Sequence, residues 1–343
     1  YQYVKEVYGD RYPVLKLGMV NPLPETMIRT FADSVSRVIV VEELDPVIET
    51  HCRALGIANI EGKSRFPMVD EFSQQVVRTC MGETSPASQA LEESLPPRPP
   101  VMCAGCPHRG MFYVLSKLKC AVFGDIGCYT LGSFAPLNAM DLNVCMGASL
   151  SGMHGFIKAS NGAYDHRMVG VIGDSTFMHS GMTGLADIVY NSSASTVIIL
   201  DNSITGMTGH QQNPTTGFNI KGEPATRVDL EALCRAMGID HVRICDPYDL
   251  KDTEAAVREA LEMDEPSVII SRRPCALLKG VKRKPPLSIR TESCRGCKSC
   301  MRIGCPAISM REGKAVIDAA QCVGCGVCTQ MCAFNAIEGG KMS

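Results

Sequence analysis

Val169-Gly170-Val171-Ile172-Gly173-Asp174-Ser175-Thr176 is a short apolar run that opens into a Gly-Asp-Ser-Thr turn. Its length is that of a buried strand. Twenty-five residues lie between Ser175 and Asp201, where a second apolar run, Val197-Ile198-Ile199-Leu200, ends in Asp201-Asn202-Ser203. Two parallel strands of one sheet bring their C-terminal ends to the same crevice. An Asp at the first end and an Asn at the second are hard oxygen ligands suited to Mg2+, which in turn holds a diphosphate. Gly173 lets the backbone approach closely, and Ser175 and Thr176 offer donors to phosphate oxygens. Gly-Asp-Ser alone equally suits an ordinary strand-to-helix turn. The second half at this spacing points to a ligand.

Working outward, further strand candidates lie at Ala121-Val122-Phe123, Met168 to Ile172, Thr196 to Leu200 and Ser267 to Ser271, with helical patterns at Gly181 to Tyr190 and Asp229 to Met237. Alternation of this kind predicts an α/β domain over 101–278, a doubly wound parallel sheet covered on both faces. Residues 1–82 repeat the rhythm on a smaller scale, with strand-like Val14-Leu15-Lys16-Leu17 and Val38-Ile39-Val40-Val41 and amphipathic stretches from Glu25 to Val35 and Pro46 to Leu55. Glu42 and Glu43 follow a strand end and read more readily as a solvated pair than as catalytic acids. Residues 83–100 hold five prolines and read as a linker. Residues 279–291 read as a basic tether, and 292–343 as a small domain too poor in apolar residues to fold without inorganic support.

The whole chain has 343 residues, 45% hydrophobic and 20% charged, with 34 Lys and Arg against 36 Asp and Glu. That balance excludes global disorder and a dedicated nucleic-acid binder. No run of 18 apolar residues occurs, so a soluble, cytoplasmic protein with no membrane contact is expected. A start at Tyr1 without Met is read as a processed chain or, by preference, the C-terminal portion of something larger. Of 18 cysteines, eight fall in the last 50 residues, which predicts metal chemistry in a reducing compartment rather than disulfide staples.

Those eight form two runs, Cys294-x2-Cys297-x2-Cys300-x4-Cys305-Pro306 and Cys322-x2-Cys325-x2-Cys328-x3-Cys332. They are near-copies of the run in two-cluster bacterial ferredoxins, where the fourth Cys of each run ligates the other cluster. One 4Fe-4S cluster is therefore expected on Cys294, Cys297, Cys300 and Cys332, and a second on Cys305, Cys322, Cys325 and Cys328. Two zinc knuckles are the alternative, although they do not require interleaved triplets. The first run departs from the pattern by one extra residue before its last Cys, and the second lacks the terminal proline.

Read together, Cys103-Ala104-Gly105-Cys106-Pro107-His108-Arg109, Gly124-Asp125-Ile126-Gly127-Cys128-Tyr129-Thr130, Gly173 to Gly181 and Met207-Thr208-Gly209-His210-Gln211 resemble the large (alpha) subunits of the indolepyruvate ferredoxin oxidoreductase family. The diphosphate turn also resembles the thiamine diphosphate motif, inexactly at Ser175 and Asp201. The resemblance spans the chain and implies a transketolase C-terminal-like domain, a thiamine-diphosphate domain and a ferredoxin-like domain, in that order. It implies Mg2+ held by Asp174, Asn202 and the carbonyl of Ile204, and cofactor contacts from Gly127, Cys128, Gly173, Asp174, Ser175, Thr176 and the loop Thr205-Gly206-Met207-Thr208-Gly209. The implied reaction is oxidative decarboxylation of arylpyruvates with coenzyme A, the electrons passing through 4Fe-4S clusters to ferredoxin. Implied partners are a small (beta) subunit and a pyrimidine-binding domain N-terminal to Tyr1. Pyruvate- or branched-chain-specific relatives, and a non-catalytic electron-transfer subunit, are the competing readings.

Met207 suits an aromatic substrate ring through its thioether, or plain loop packing. His108 and Arg109 are candidates for the active site, Arg109 by a two-pronged bond to carboxylate or phosphate. His179 and His210 are candidate proton carriers or structural histidines. No local spacing unites Cys103, Cys106, Cys128 and Cys275; the first two open the expected sheet domain, while Cys128 and Cys275 lie at strand ends that converge on one crevice. The resemblance implies that they hold a third, proximal 4Fe-4S cluster, the alternative being a leftover pair or zinc half-site at Cys103 and Cys106 with Cys128 and Cys275 as buried thiols.

Overall fold

Six parallel strands make the central sheet: β1 (Ala121–Gly124), β2 (Leu142–Asn143), β3 (Met168–Gly173), β4 (Thr196–Asp201), β5 (His241–Cys245) and β6 (Ser267–Arg272). In this computed structural model, which describes residues 1–85, 94–96 and 98–339, they lie in the order β2-β1-β3-β4-β6-β5. β3 and β4 are buried throughout, as continuous apolar runs in a doubly covered parallel sheet must be. Side chains alternate between the faces. Val169, Val171, Ile198, Leu200 and Ile269 enter one core, and Ile172, Val197, Ile199, Val268 and Ile270 the other. The first face is covered by helices His108–Leu118 and Leu250–Leu261, and the second by Ala148–Ala159, Met182–Tyr190 and Leu230–Ala236.

Two of these strands had no apolar run to announce them. β5 is an edge strand, paired on one side only and largely accessible until Cys245; its His241-Val242-Arg243 start is polar because the strand edge meets water. β2 has two residues and pairs only with β1.

The chain divides into two compact units, Tyr1–Pro97 and Arg98–Ser343. In the first, a two-residue parallel pair, Val38–Ile39 with Ile60–Glu61, is the whole β content among the described residues. Val14 to Leu17, expected as a strand, has no ladder partner. Leu15 and Leu17 instead pack on a core of Leu23, Ile28, Val40, Cys52 and Ile60. Glu42 accepts from the backbone N–H of Ile48 and Glu49 at 2.8 and 2.9 Å, and Glu43 from Phe72 at 2.7 Å. Both acids hold loop and helix-start backbone. Of the expected linker, residues 86–93 and 97 lie outside the described residues.

In the second unit the cysteine-rich tail shares the first core of the sheet domain through Leu287, Ile303, Ile308, Val327 and Ile337. The basic segment expected as a tether contributes Ser288–Ile289, paired antiparallel with Ile337–Glu338. It closes the tail rather than merely leading to it. Gln330 Nε2 donates to Tyr248 O at 2.7 Å, and its Oε1 accepts from Leu250 N at 3.0 Å.

Helix His108–Leu118 runs so close to the Pro247 carbonyl that a Cβ on Gly110 would lie 1.8 Å from it, whereas one on Gly155, exposed on helix Ala148–Ala159, would touch nothing within 4 Å. Gly110→Ala should therefore lose at least about 2 kcal/mol of stability by overpacking. Gly155→Ala should gain about 0.8 kcal/mol from helix propensity. Denaturant unfolding of the two variants checks both signs.

Candidate functional site

Parallel register sets Gly173 beside Leu200 and Asp201 beside Arg272, so Asp174 and Asn202 leave adjacent strands side by side. Both are buried, Asp174 at 3% exposure and Asn202 at 7%. Asp174 Oδ2 accepts only from neutral donors, Asn213 Nδ2 and Thr215 Oγ1, each at 3.2 Å. Burial, followed by the nearby Asp201 charge, pushes its pKa up to about 7. Asp201 is itself balanced by Arg272 Nε at 2.7 Å. What remains is a buried carboxylate with no cationic partner among the described residues. A divalent cation with hard-oxygen preference fits that deficit.

Asn202 is a junction. Its Oδ1 accepts from Ile204 N and its Nδ2 meets His108 Nε2, both at 3.3 Å. Burial lowers the pKa of His108 to about 4, so the imidazole is neutral and Nε2 accepts. Tyr129 packs edge-on against that ring at 5.8 Å and donates its hydroxyl to Asp125. Asp125, fully buried at the end of β1, also accepts from Gly147 N at 2.9 Å and Ser149 Oγ at 3.2 Å. A Cβ on Gly173 would lie 2.9 Å from the Tyr129 ring, and one on Gly127 2.3 Å from it. The glycines make room for this packed wall.

The loop after Asn202 is clipped at its base by reciprocal backbone bonds between Thr205 and Gln211 at 3.0 and 3.1 Å. Gly206 lies beside Asn202 Nδ2 and Cys128 Sγ, Gly209 takes a φ of +117°, and Met207 is half exposed. Ser175 and Thr176 begin a helical stretch that passes through a π-helical turn, Phe177–Gly181. His179 is exposed on that turn, with Nδ1 2.7 Å from Ser180 Oγ. His210 Nε2 stands 3.9 Å from Cys275 Sγ.

Cys103, Cys106, Cys128 and Cys275, scattered in sequence, come together here. A thiolate at Cys128 or Cys103 would raise the pKa of Cys106, one at Cys275 or Cys103 that of Cys128, and one at Cys103 that of Cys275, so the four lie within charge range of one another. Burial raises the thiols of Cys106, Cys128 and Cys275, Cys106 to about 12. The set abuts the crevice, because Cys275 N donates to Asn202 O at 2.9 Å.

The tail cysteines line two cavities. One is lined by Cys294, Cys297, Cys300 and Cys332 together with Ile289, Ala315 and Ile337. The other is lined by Cys305, Cys322, Cys325 and Cys328, together with Cys106 and Arg109. Ala336 N donates to Cys332 Sγ at 3.3 Å and Leu287 N to Cys322 Sγ at 3.4 Å. Backbone N–H groups of Ala315 and Gly296 lower the pKa of Cys294, and the Ser299 hydroxyl and N–H lower that of Cys297. Apolar cavities with inward thiols and N–H donors to sulfur fit iron–sulfur cubanes. Among the described residues no three His, Cys, Asp or Glu side chains lie close enough to hold a single metal ion.

Arg109, next to His108 in sequence, is engaged by backbone carbonyls. Its guanidinium donates to the carbonyls of Met102, Cys103, Ile303 and Gly304, bridging the first Cys pair to the tail. Asn213, Thr215 and Asp125 were not singled out by the sequence reading. The first two come from a loop with no motif spacing, and only Asp125, in Gly124-Asp125 at a strand end, repeated the pattern of Gly173-Asp174.

Residues 125–271 match the family described as thiamine pyrophosphate enzyme, C-terminal TPP binding domain. The indolepyruvate oxidoreductase subunit IorA of Archaeoglobus fulgidus is 39% identical over 99% of this chain and 58% of its own. That of Pyrococcus horikoshii is 38% identical over 98% of this chain and 59% of its own. The chain thus spans about three fifths of the length of these curated relatives. A solved 2-oxoglutarate:ferredoxin oxidoreductase of Magnetococcus marinus overlies 54% of this chain and 67% of its own at 18% identity and a TM-score of 0.47. Among the described residues no helix is long and apolar enough to cross a membrane.

The raised pKa of Asp174 has a sign that can be measured. Its contribution to stability is complete below the ordinary 3.8 and is lost as pH rises through about 7, where folding must bury the charge. In chelator, unfolding free energy should fall across that window, and Asp174→Asn should remove most of the fall. Added Mg2+ should stabilise more above about pH 7 than below it. Parent and variant with equal pH slopes would contradict the assignment.

Proposed function

This chain belongs to the indolepyruvate oxidoreductase family of its IorA relatives, and from that premise we propose that it is the cofactor and electron-transfer portion of a 2-oxoacid:ferredoxin oxidoreductase acting on arylpyruvates with coenzyme A. The observation that carries the reading is the 2.9 Å bond from Cys275 N to Asn202 O. It ties a four-cysteine set to the edge of the diphosphate crevice.

Asp174, Asn202 and the Ile204 carbonyl are the residues that would hold Mg2+. Ser175, Thr176 and the Thr205–Gly209 loop would face the diphosphate. Neutral His108 keeps the Asn202 amide in place by accepting from its Nδ2, which a protonated imidazole would not do. Thiamine diphosphate, when bound, supplies the electron sink through which a 2-oxo acid loses CO2.

Three sets of cysteines form a series leading away from that sink: Cys103, Cys106, Cys128 and Cys275; then Cys305, Cys322, Cys325 and Cys328; then Cys294, Cys297, Cys300 and Cys332. Cys106 lines the cavity of the second set, and Cys300 of the third set interacts electrostatically with Cys328 of the second. Near the outer end, the segment from Lys279 to Lys314 has ten Lys and Arg against Glu292 and Glu312, and most of these cations are exposed. An acidic ferredoxin is the partner that fits. A small subunit and a pyrimidine-binding domain would complete the enzyme.

Met207, half exposed on the loop, offers a thioether to an aryl ring. In the complete enzyme Met207→Asn should lower kcat/KM for indolepyruvate by up to about tenfold, the upper range of a sulfur–aromatic contact. Pyruvate turnover should hold or rise. A substrate panel in which both fall equally would remove Met207 from substrate choice.

Iron analysis tests the cluster reading. Reconstituted chain should hold twelve iron atoms, three cubanes of four, and Cys128→Ser eight. A parent that stops at eight would reject the proximal cluster. Electron transfer to ferredoxin should slow steeply with ionic strength, since a basic patch steers only within a Debye length of about 10 Å at 0.1 M salt.

A further inference from the structure

Arg109 is 5% exposed, and no acidic group is paired with it among the described residues. Four carbonyls satisfy its terminal nitrogens, and its Nε is buried without a partner. Hydrogen bonds to carbonyls orient a guanidinium but do not neutralise it, and a buried charge without a counter-charge is costly. Arginine does not escape that cost by losing its proton. Something anionic belongs beside it.

Among the described residues the candidates at hand are cysteine sulfurs. Arg109 lines the cavity of Cys305, Cys322, Cys325 and Cys328, which Cys106 also enters. Its charge favours the thiolates of both Cys106 and Cys325. Its four carbonyl partners are equally telling. Met102 and Cys103 begin the first Cys pair, while Ile303 and Gly304 immediately precede Cys305. The extra residue of the first tail run therefore falls in the stretch whose carbonyls the guanidinium grips. Gly304 takes a φ of +68°, and a Cβ there would stand 3.1 Å from Arg109 Nη1. On the other side, Gly105 takes a φ of +70°, and a Cβ there would lie 2.2 Å from Val323 Cγ2. Tyr248 donates its hydroxyl to the Gly105 carbonyl at 2.5 Å.

We propose that Arg109 is a positioning cation shared by two cluster sites, that of Cys103, Cys106, Cys128 and Cys275 and that of Cys305, Cys322, Cys325 and Cys328, holding them at fixed separation and favouring reduction of both. The proposal rests on the cluster reading given above. A 4Fe-4S cluster with four cysteinates is anionic and gains one more negative charge, with no proton, on one-electron reduction. A permanent cation in a low-dielectric wall stabilises that reduced form more than the oxidised one, and net charge and donors to sulfur are known levers on cluster potential. The third set, Cys294, Cys297, Cys300 and Cys332, shares no carbonyl partner with Arg109 and serves as an internal reference.

The test is an EPR-monitored redox titration of reconstituted full chain with Arg109→Met and Arg109→Lys. In Arg109→Met the reduction equilibrium of two clusters should fall at least tenfold, about 59 mV for one electron, while the third stays put. Arg109→Lys, which keeps the charge and loses the fork, should stay within tenfold of the parent at both. Potentials that shift equally at all three clusters, or at none, would overturn the proposal. Should Arg109→Met fail to bind iron, Arg109→Lys alone decides: potentials within tenfold support the shared cation, while larger shifts or loss of iron in this variant too reject it in favour of a purely architectural arginine. Failure of the underlying cluster reading looks different, because the parent itself would then hold eight iron atoms or fewer.

Discussion

Asn202 stands where a central strand runs out, and the rest of the site is arranged around its three polar groups. The backbone carbonyl takes the N–H of Cys275, the amide oxygen takes the N–H of Ile204, and the amide nitrogen faces His108. Each bond reaches a different functional segment: the end of β6, the loop over the crevice and the helix that follows the first Cys pair. A parallel sheet makes this convergence inexpensive, since all strands deliver their C-terminal ends to one edge. The same edge brings the proposed diphosphate site and a cysteine set together without a separate scaffold for either.

Charge completes the design. Asp174 is a carboxylate without a cation, and Arg109 a cation without a carboxylate, both buried. In a finished protein neither deficit is tolerable by itself. A divalent metal is the group of opposite sign that would meet the first, and sulfur anions would meet the second.

Much of this was legible in the chain itself. The ferredoxin pattern, in which the fourth Cys of each run crosses to the other set, groups the tail thiols in the same way as the linings of the two tail cavities. The buried central strands announced themselves through unbroken apolar runs, and Asp174 and Asn202 through their place at two such ends. The rest depends on contacts that no local pattern encodes. Asn213 and Thr215 reach Asp174 from a distant loop, and the polar β5 is a strand only because β6 offers it an edge. Val14 to Leu17 has strand composition but no strand to pair with. Arg109 looked like a substrate or phosphate ligand by residue type; four carbonyls, two of them nearly two hundred residues away, claim it instead.

Paramagnetic Mn2+ in place of Mg2+ gives the most direct view of the central claim, that a cluster site adjoins the diphosphate crevice. With thiamine diphosphate and Mn2+ bound to reconstituted, reduced chain, the relaxation of one cluster signal should be strongly enhanced, and that signal should vanish in Cys128→Ser. The two tail signals should respond far less. Equal effects on every cluster signal, or none on any, would contradict the account.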